Sequence, residues 1–118
     1  MNAIKTILLV DDDDESRVAL KWFLSNFGYL VEPASSAEKA LSLFDANLHD
    51  IVLTDNSMPG MSGMEMAHVI KLRSPSTPVL MYTGTAPEDQ SSVDLLIQKP
   101  SPILELKAGL EKLLTGQQ

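Results

Sequence analysis

Five residues of this 118-residue chain have side chains that belong together chemically: Asp11, Asp12, Asp55, Thr83 and Lys99. The first two head a block of five carboxylates, Asp11 to Glu15, that directly follows the apolar run Ile7 to Val10. Two carboxylates about 4 Å apart repel by roughly 4 kcal/mol at an effective dielectric of about 20. Water, a helix N-terminus or a bound cation must offset that repulsion. Alone, Asp11 and Asp12 fit a solvated acidic turn as well as they fit a metal site. With Asp55 they make a set of hard oxygen donors, the kind that holds magnesium through one or two carboxylates, waters and a phosphate. Thr83 adds a hydroxyl donor and Lys99 a fixed positive charge. A carboxylate can attack phosphorus, and positioning plus charge neutralisation is most of what phosphoryl transfer requires.

The elements around these residues explain how they could meet. "KTILLV" (5–10) runs into Asp11, "DIVLTD" (50–55) ends on Asp55, "TPVLMYT" (77–83) ends on Thr83, and "VDLLIQK" (93–99) ends on Lys99. With "YLVEP" (29–33) these are five expected strands, several of them apolar throughout and so buried on both faces. Helical patterns separate most of them. The first starts with Asp13 as N-cap and Asp14 and Glu15 at its positive end. Its inward stripe is expected at Val18, Ala19, Trp22, Phe23 and Phe27, with Gly28 ending it. Ser35 and Glu38 read as a capping box for a second helix with Ala37, Ala40, Leu41, Phe44 and Leu48 on its inner face. Ser62 and Glu65 read as another, opening "MEMAHVIKLR" after the loop "NSMPGMSG". The last helix starts with Ser101 as N-cap and Pro102 at the first helical position. It buries Ile103, Leu106, Leu110, Leu113 and Leu114, and Gly116 closes it.

This alternation predicts an α/β fold: a doubly wound, five-stranded parallel sheet with helices on both faces. Ligands then bind at the carboxyl ends of the strands, where all five singled-out residues fall. Strands at 79–83 and 95–99 leave only residues 84–94 for a crossover. That is near the lower limit for a connection containing a helix, so a stub or an irregular loop is expected there.

Composition narrows the function further. The chain carries a net charge of −7 and no cysteine, which argues against direct nucleic-acid binding and excludes disulfides and zinc–thiolate sites. No apolar run approaches a membrane span, and "MNAIKT" is not a secretory signal. No membrane association and a cytoplasmic location are therefore expected. His49 and His68 read as ordinary helix or loop residues. Met58, Met61, Met64 and Met66 read as packing for the loop and third helix in preference to an adaptable partner surface.

"LLVDDD", "VLTDNSMPGMSG", "LMYTG" and "LIQKP", in this order, resemble the receiver domains of two-component response regulators. The resemblance runs from about Lys5 to Leu114 and implies a single receiver domain over 1–118 with the flavodoxin-like strand order 2-1-3-4-5. It implies that Asp55 accepts a phosphoryl group from a phosphohistidine or a small phosphodonor. Asp11, Asp12, Asp55 and the backbone carbonyl of Ser57 would hold magnesium, with manganese as a substitute. Thr83 would be the switch hydroxyl and Lys99 the phosphoryl partner, followed by a cis Lys99–Pro100 bond. By the same resemblance, Ser57 and Thr85 would occupy the variable positions that tune dephosphorylation in the family. The implied partners are a sensor histidine kinase or a histidine phosphotransfer domain, and an output or kinase domain in a longer chain is compatible. Such a domain regulates; the only chemistry that it catalyses is its own phosphorylation and dephosphorylation.

Two features depart from the family pattern. Leu96 stands where receivers usually have Tyr or Phe, and the short 84–94 connection puts the usual dimer-forming output face in doubt. The connection resembles that of receivers attached to hybrid sensor kinases. A phosphorylation-independent pseudo-receiver is the alternative reading, against which the intact Asp12, Asp55, Thr83 and Lys99 speak. An aspartate-nucleophile phosphatase fits poorly because Glu15 stands where its motif wants Thr or Val. A flavodoxin would not carry five carboxylates in its phosphate loop, and no Walker or dinucleotide-binding motif is present.

Overall fold

The computed structural model describes residues 3–116; residues 1–2 and 117–118 of the expected 1–118 domain lie outside them. The described chain forms β1 (Thr6–Val10), α1 (Asp14–Asn26), β2 (Leu30–Ala34), α2 (Ala37–Leu43), β3 (Ile51–Thr54), α3 (Gly63–Arg73), β4 (Val79–Thr83), β5 (Leu95–Gln98) and α4 (Ile103–Leu114). The strands form one parallel sheet in the order β2-β1-β3-β4-β5, as expected. Pro33 lies in β2, at the edge, where a missing N–H breaks no ladder.

Register aligns the strand ends that carry the site. Val10 sits opposite both Ala34 and Thr54, Thr54 opposite Met81, and Thr83 opposite Gln98. Alternation along each strand then feeds two cores. Leu8, Val10, Val52 and Val79 meet α2 and α3 through Ala37, Ala40, Met66 and Ile70. Ile7, Leu9, Ile51, Leu53 and Leu80 meet α1 and α4 through Leu20, Leu24, Leu106 and Leu110. α1 and α4 are thus neighbours on one face, and Lys107 lies over the Phe27 ring at 5.7 Å.

Several local expectations need correction. The buried stripe of α1 is Leu20 and Leu24, while Val18 and Trp22 are 69% and 62% exposed. α1 carries apolar residues on more than one side, so periodicity alone could not fix which side meets the sheet. α2 is capped by Ser36, whose hydroxyl accepts from Lys39 N at 3.0 Å, and not by a Ser35–Glu38 box. Glu38 instead reaches the loop after β3, where it accepts from Met61 N at 3.1 Å. α2 ends at Leu43, leaving Leu48 exposed. Pro102 is the N-cap of α4 without a side-chain bond, and the Ser101 hydroxyl is buried with no partner among the described residues. The Asp13 cap, the Ser62–Glu65 capping box, and Gly28 and Gly116 at positive φ stand as expected.

Residues 84–94 contain no helix. Asp94 anchors the end of this connection. Its Oδ2 accepts from Val79 N at 2.7 Å and pairs with Lys71 Nζ at 2.6 Å, while Lys71 also donates to Thr77 O. Val93 packs against the α2–α3 core. The methionines divide: Met58 and Met66 are buried, whereas Met61 and Met64 line an open groove of about 490 Å3 with Glu65, His68, Val69 and Asp89. His49 is buried, accepting from Asp45 N at Nδ1 and meeting Glu32 through Nε2 at 2.6 Å.

Candidate functional site

The carboxyl ends of β1, β3, β4 and β5 bring four of the expected side chains to one edge of the sheet. Asp55 follows β3 directly, and its N–H continues the ladder to Val10 O at 3.1 Å. Its Oδ1 accepts from Asn56 N at 2.6 Å, and its Oδ2 lies 3.7 Å from Lys99 Nζ. Both side chains are partly buried, 19% and 28% exposed, so their interaction is less screened than at an open surface. Lys99 N donates to Thr83 O at 2.8 Å, which extends the β4–β5 pairing to the site. Lys99–Pro100 is cis. Thr83 is buried, with its hydroxyl donating to Thr85 O and accepting from Thr85 N, both at 3.3 Å.

Asp11 is 2% exposed. Its Oδ1 accepts from Asp13 N at 2.9 Å, and its carbonyl accepts from Arg17 Nη1 at 2.8 Å. Burial pushes its carboxyl above the usual carboxylate range. The Asp13 N–H and the Lys99 charge act the other way, and the negative charges of Asp55 and Asp12 add to the rise. Asp12 and Ser57 are exposed at the rim. The Ser57 carbonyl accepts no hydrogen bond from the described residues.

The loop after Asp55 is held by contacts that the sequence reading did not single out. Asn56 accepts from Gly63 N through its carbonyl at 2.9 Å and from Met64 N through its side chain at 3.1 Å. A Cβ on Gly63 would lie 2.0 Å from the Asp55 carbonyl oxygen, so only glycine lets α3 start this close to the acceptor. Arg17 ties α1 to Asp11 and pairs with Asp14 at 2.6 Å. The Tyr82 ring lies under Lys99, with Nζ 4.9 Å from its centroid. A glycine between a capping serine and a helix was a readable signal. The roles of Arg17 and Tyr82 left none.

Among the described residues, no three acidic, histidine or cysteine side chains close into a ready-made metal cage. Magnesium does not require one, since it keeps several waters and uses one or two carboxylates. The donor chemistry fits such an ion: oxygens only, with an Asp11 carboxylate disfavoured first by its burial and then by the like charges of Asp55 and Asp12.

The chain belongs to the response regulator receiver domain family, whose model matches residues 7–110. It is 31% identical over 111 residues to the autoinducer 1 sensor kinase/phosphatase LuxN of Vibrio campbellii, covering 90% of this chain and 13% of that protein. It spans between 13% and 21% of the length of the curated relatives that it matches first. Among solved structures it resembles the response regulator TrrA of Thermotoga maritima in complex with Mg2+–BeF. That likeness has a TM-score of 0.88 at 32% identity, over 93% of this chain and 99% of the other. TrrA in complex with the histidine kinase ThkA matches at a TM-score of 0.86 and 32% identity, over 94% and 99%. A receiver domain protein from Methanospirillum hungatei matches at 0.90 and 29%, over 98% and 97%. The chain is therefore a regulatory signalling domain of the two-component type, and no described helix is long and apolar enough to cross a membrane.

Proposed function

We propose that this chain is a phosphorylation switch in which Asp55 accepts a phosphoryl group from the phosphohistidine of a sensor kinase or phosphotransfer domain, or from a small phosphodonor. The observation that carries this reading is Lys99 Nζ, held 3.7 Å from Asp55 Oδ2 across the end of β4. In the transfer, an Asp55 carboxylate oxygen bonds to phosphorus as the phosphorus–nitrogen bond of the donor breaks, and the imidazole leaves with a proton. Lys99 pairs with the phosphoryl oxygens, and Thr83 exchanges its Thr85 contacts for one of them. Asp11, Asp12, Asp55 and the Ser57 carbonyl would hold magnesium or manganese, which supplies neutralising charge when bound. Water attack on the acyl phosphate returns the free aspartate.

The likeness to TrrA bound to its kinase supports a histidine kinase as donor. On this chain the exposed apolar side chains Val18, Trp22 and Leu104, on the layer formed by α1 and α4, are suited to cover a partner helix. A cytoplasmic location and a single domain over 1–118 follow from the same reading. The test uses beryllium fluoride, which mimics the phosphoryl group. With magnesium it should give saturable NMR shifts at Asp55, Thr83, Thr85 and Lys99 in the wild type and none in Asp55→Asn. Shifts that persist in Asp55→Asn, or their absence in the wild type, contradict the proposal.

A further inference from the structure

We propose that Tyr82 is a positioning residue for Lys99, acting at the site read above as the phosphoryl acceptor, and that it links Lys99 to the segment leading into α4. Lys99 Nζ lies between two attractive surfaces: the Tyr82 π-face, 4.9 Å away at the centroid, and Asp55 Oδ2, 3.7 Å away. The ring body packs in the α1–α4 core, and its hydroxyl faces Ser101 O at 3.5 Å, longer than a full O–H···O hydrogen bond. Ser101 lies two residues before α4 begins at Ile103.

A lysine has a long flexible stem, and holding its head in one place costs side-chain entropy. A cation over an aromatic face recovers part of that cost, through the ring quadrupole. The ring also keeps Lys99 from collapsing onto Asp55. At 3.7 Å the pair is looser than a charge-assisted hydrogen bond, and the ammonium stays near the place where a phosphoryl oxygen arrives. Strand alternation puts Tyr82 on the α1–α4 face and its neighbour Thr83 on the other. The two residues therefore sense the site from opposite sides of the sheet. When a phosphoryl group draws Lys99 off the ring, the change reaches Ser101 through the tyrosine hydroxyl.

The experiment measures the rate of Asp55 phosphorylation by acetyl phosphate, with magnesium, by intact mass. It compares the full chain, Tyr82→Phe and Tyr82→Leu, and repeats Tyr82→Leu in a Lys99→Met background. Circular dichroism checks the fold, and Tyr82→Met replaces Tyr82→Leu if the latter does not fold. Tyr82→Leu should slow phosphorylation by about two- to fivefold, the range of a partly exposed cation–π contact. Tyr82→Phe, which keeps the ring, should keep the rate but lose the Ser101 amide shift caused by beryllium fluoride. In the Lys99→Met background Tyr82→Leu should change nothing further. Equal slowing by Phe and Leu, equal slowing with and without Lys99, or no slowing at all overturns the proposal while leaving Asp55 as the acceptor. A wild-type chain that neither gains a phosphoryl group nor responds to beryllium fluoride overturns both readings.

Discussion

At Asp11 the folded chain holds a carboxylate that it solvates poorly, because burial and the negative charges of Asp55 and Asp12 all oppose ionisation. A raised folded-state pKa makes the residue neutral to stability below the unfolded value, near 3.9. The penalty grows as pH rises above that value and is complete above the folded one. In divalent-free buffer at pH 7, Asp11→Asn should therefore raise the urea midpoint, and the gain should fade on acidification toward pH 3. A lower midpoint for Asp11→Asn would mean that the carboxylate is held by contacts outweighing its burial. Gly63 is the opposite kind of residue, chosen for what it lacks. Gly63→Ala sets a methyl 2.0 Å from the backbone oxygen of Asp55, and backbone cannot yield as a side chain can. A loss of about 3 kcal/mol, read by denaturant unfolding, is the expected result.

The capped helices tie the elements to pH. Glu65 accepts from Ser62 N at 3.0 Å while the Ser62 hydroxyl accepts from Glu65 N at 3.1 Å, and this bonding holds the Glu65 carboxyl below its usual pKa. A lowered folded-state pKa stabilises above the unfolded value and is lost as pH falls through the folded one. Glu65→Gln should therefore be less stable than the wild type at pH 7, with the two converging as pH falls past the unfolded carboxyl value and through the lower folded one. Trp22 tests a different property of an element, its free face. Being 62% exposed, it should tolerate Trp22→Ala within about 0.5 kcal/mol. Phosphotransfer from a partner kinase should nevertheless fall tenfold or more, as for a buried interface tryptophan, while phosphorylation by acetyl phosphate is unchanged. The order of elements, the strand ends and the missing 84–94 helix were all legible, because apolar runs, caps and residue counts are local signals. The phase of α1 was not legible: Leu20 and Leu24 compete with Val18 and Trp22 on one helix, and only the sheet chooses between them. The Glu38 contact with Met61 was hidden for the same reason, since it joins residues 23 positions apart.

Across the whole molecule, the parallel sheet gathers Asp11, Asp55, Thr83 and Lys99 from four strand ends onto one edge. Sequence order placed each of them there, because a doubly wound sheet has all its carboxyl ends on one side. What order could not supply was the fine arrangement: the Tyr82 ring under Lys99, Arg17 on the Asp11 carbonyl, and Asn56 bracing the loop to α3. The helix-free 84–94 connection contributes Asp89 to a groove along α3 lined by Met61 and Met64, so this surface differs from one built on a helix at that place. None of this alters the chemistry expected at the strand ends. The most direct test is intact mass after incubation with acetyl phosphate, with and without magnesium, for the wild type and Asp55→Asn. One added phosphoryl group that requires both magnesium and Asp55 is the predicted result. An adduct that survives Asp55→Asn, or no adduct together with no response to beryllium fluoride, would contradict the switch and leave a phosphorylation-independent interaction module.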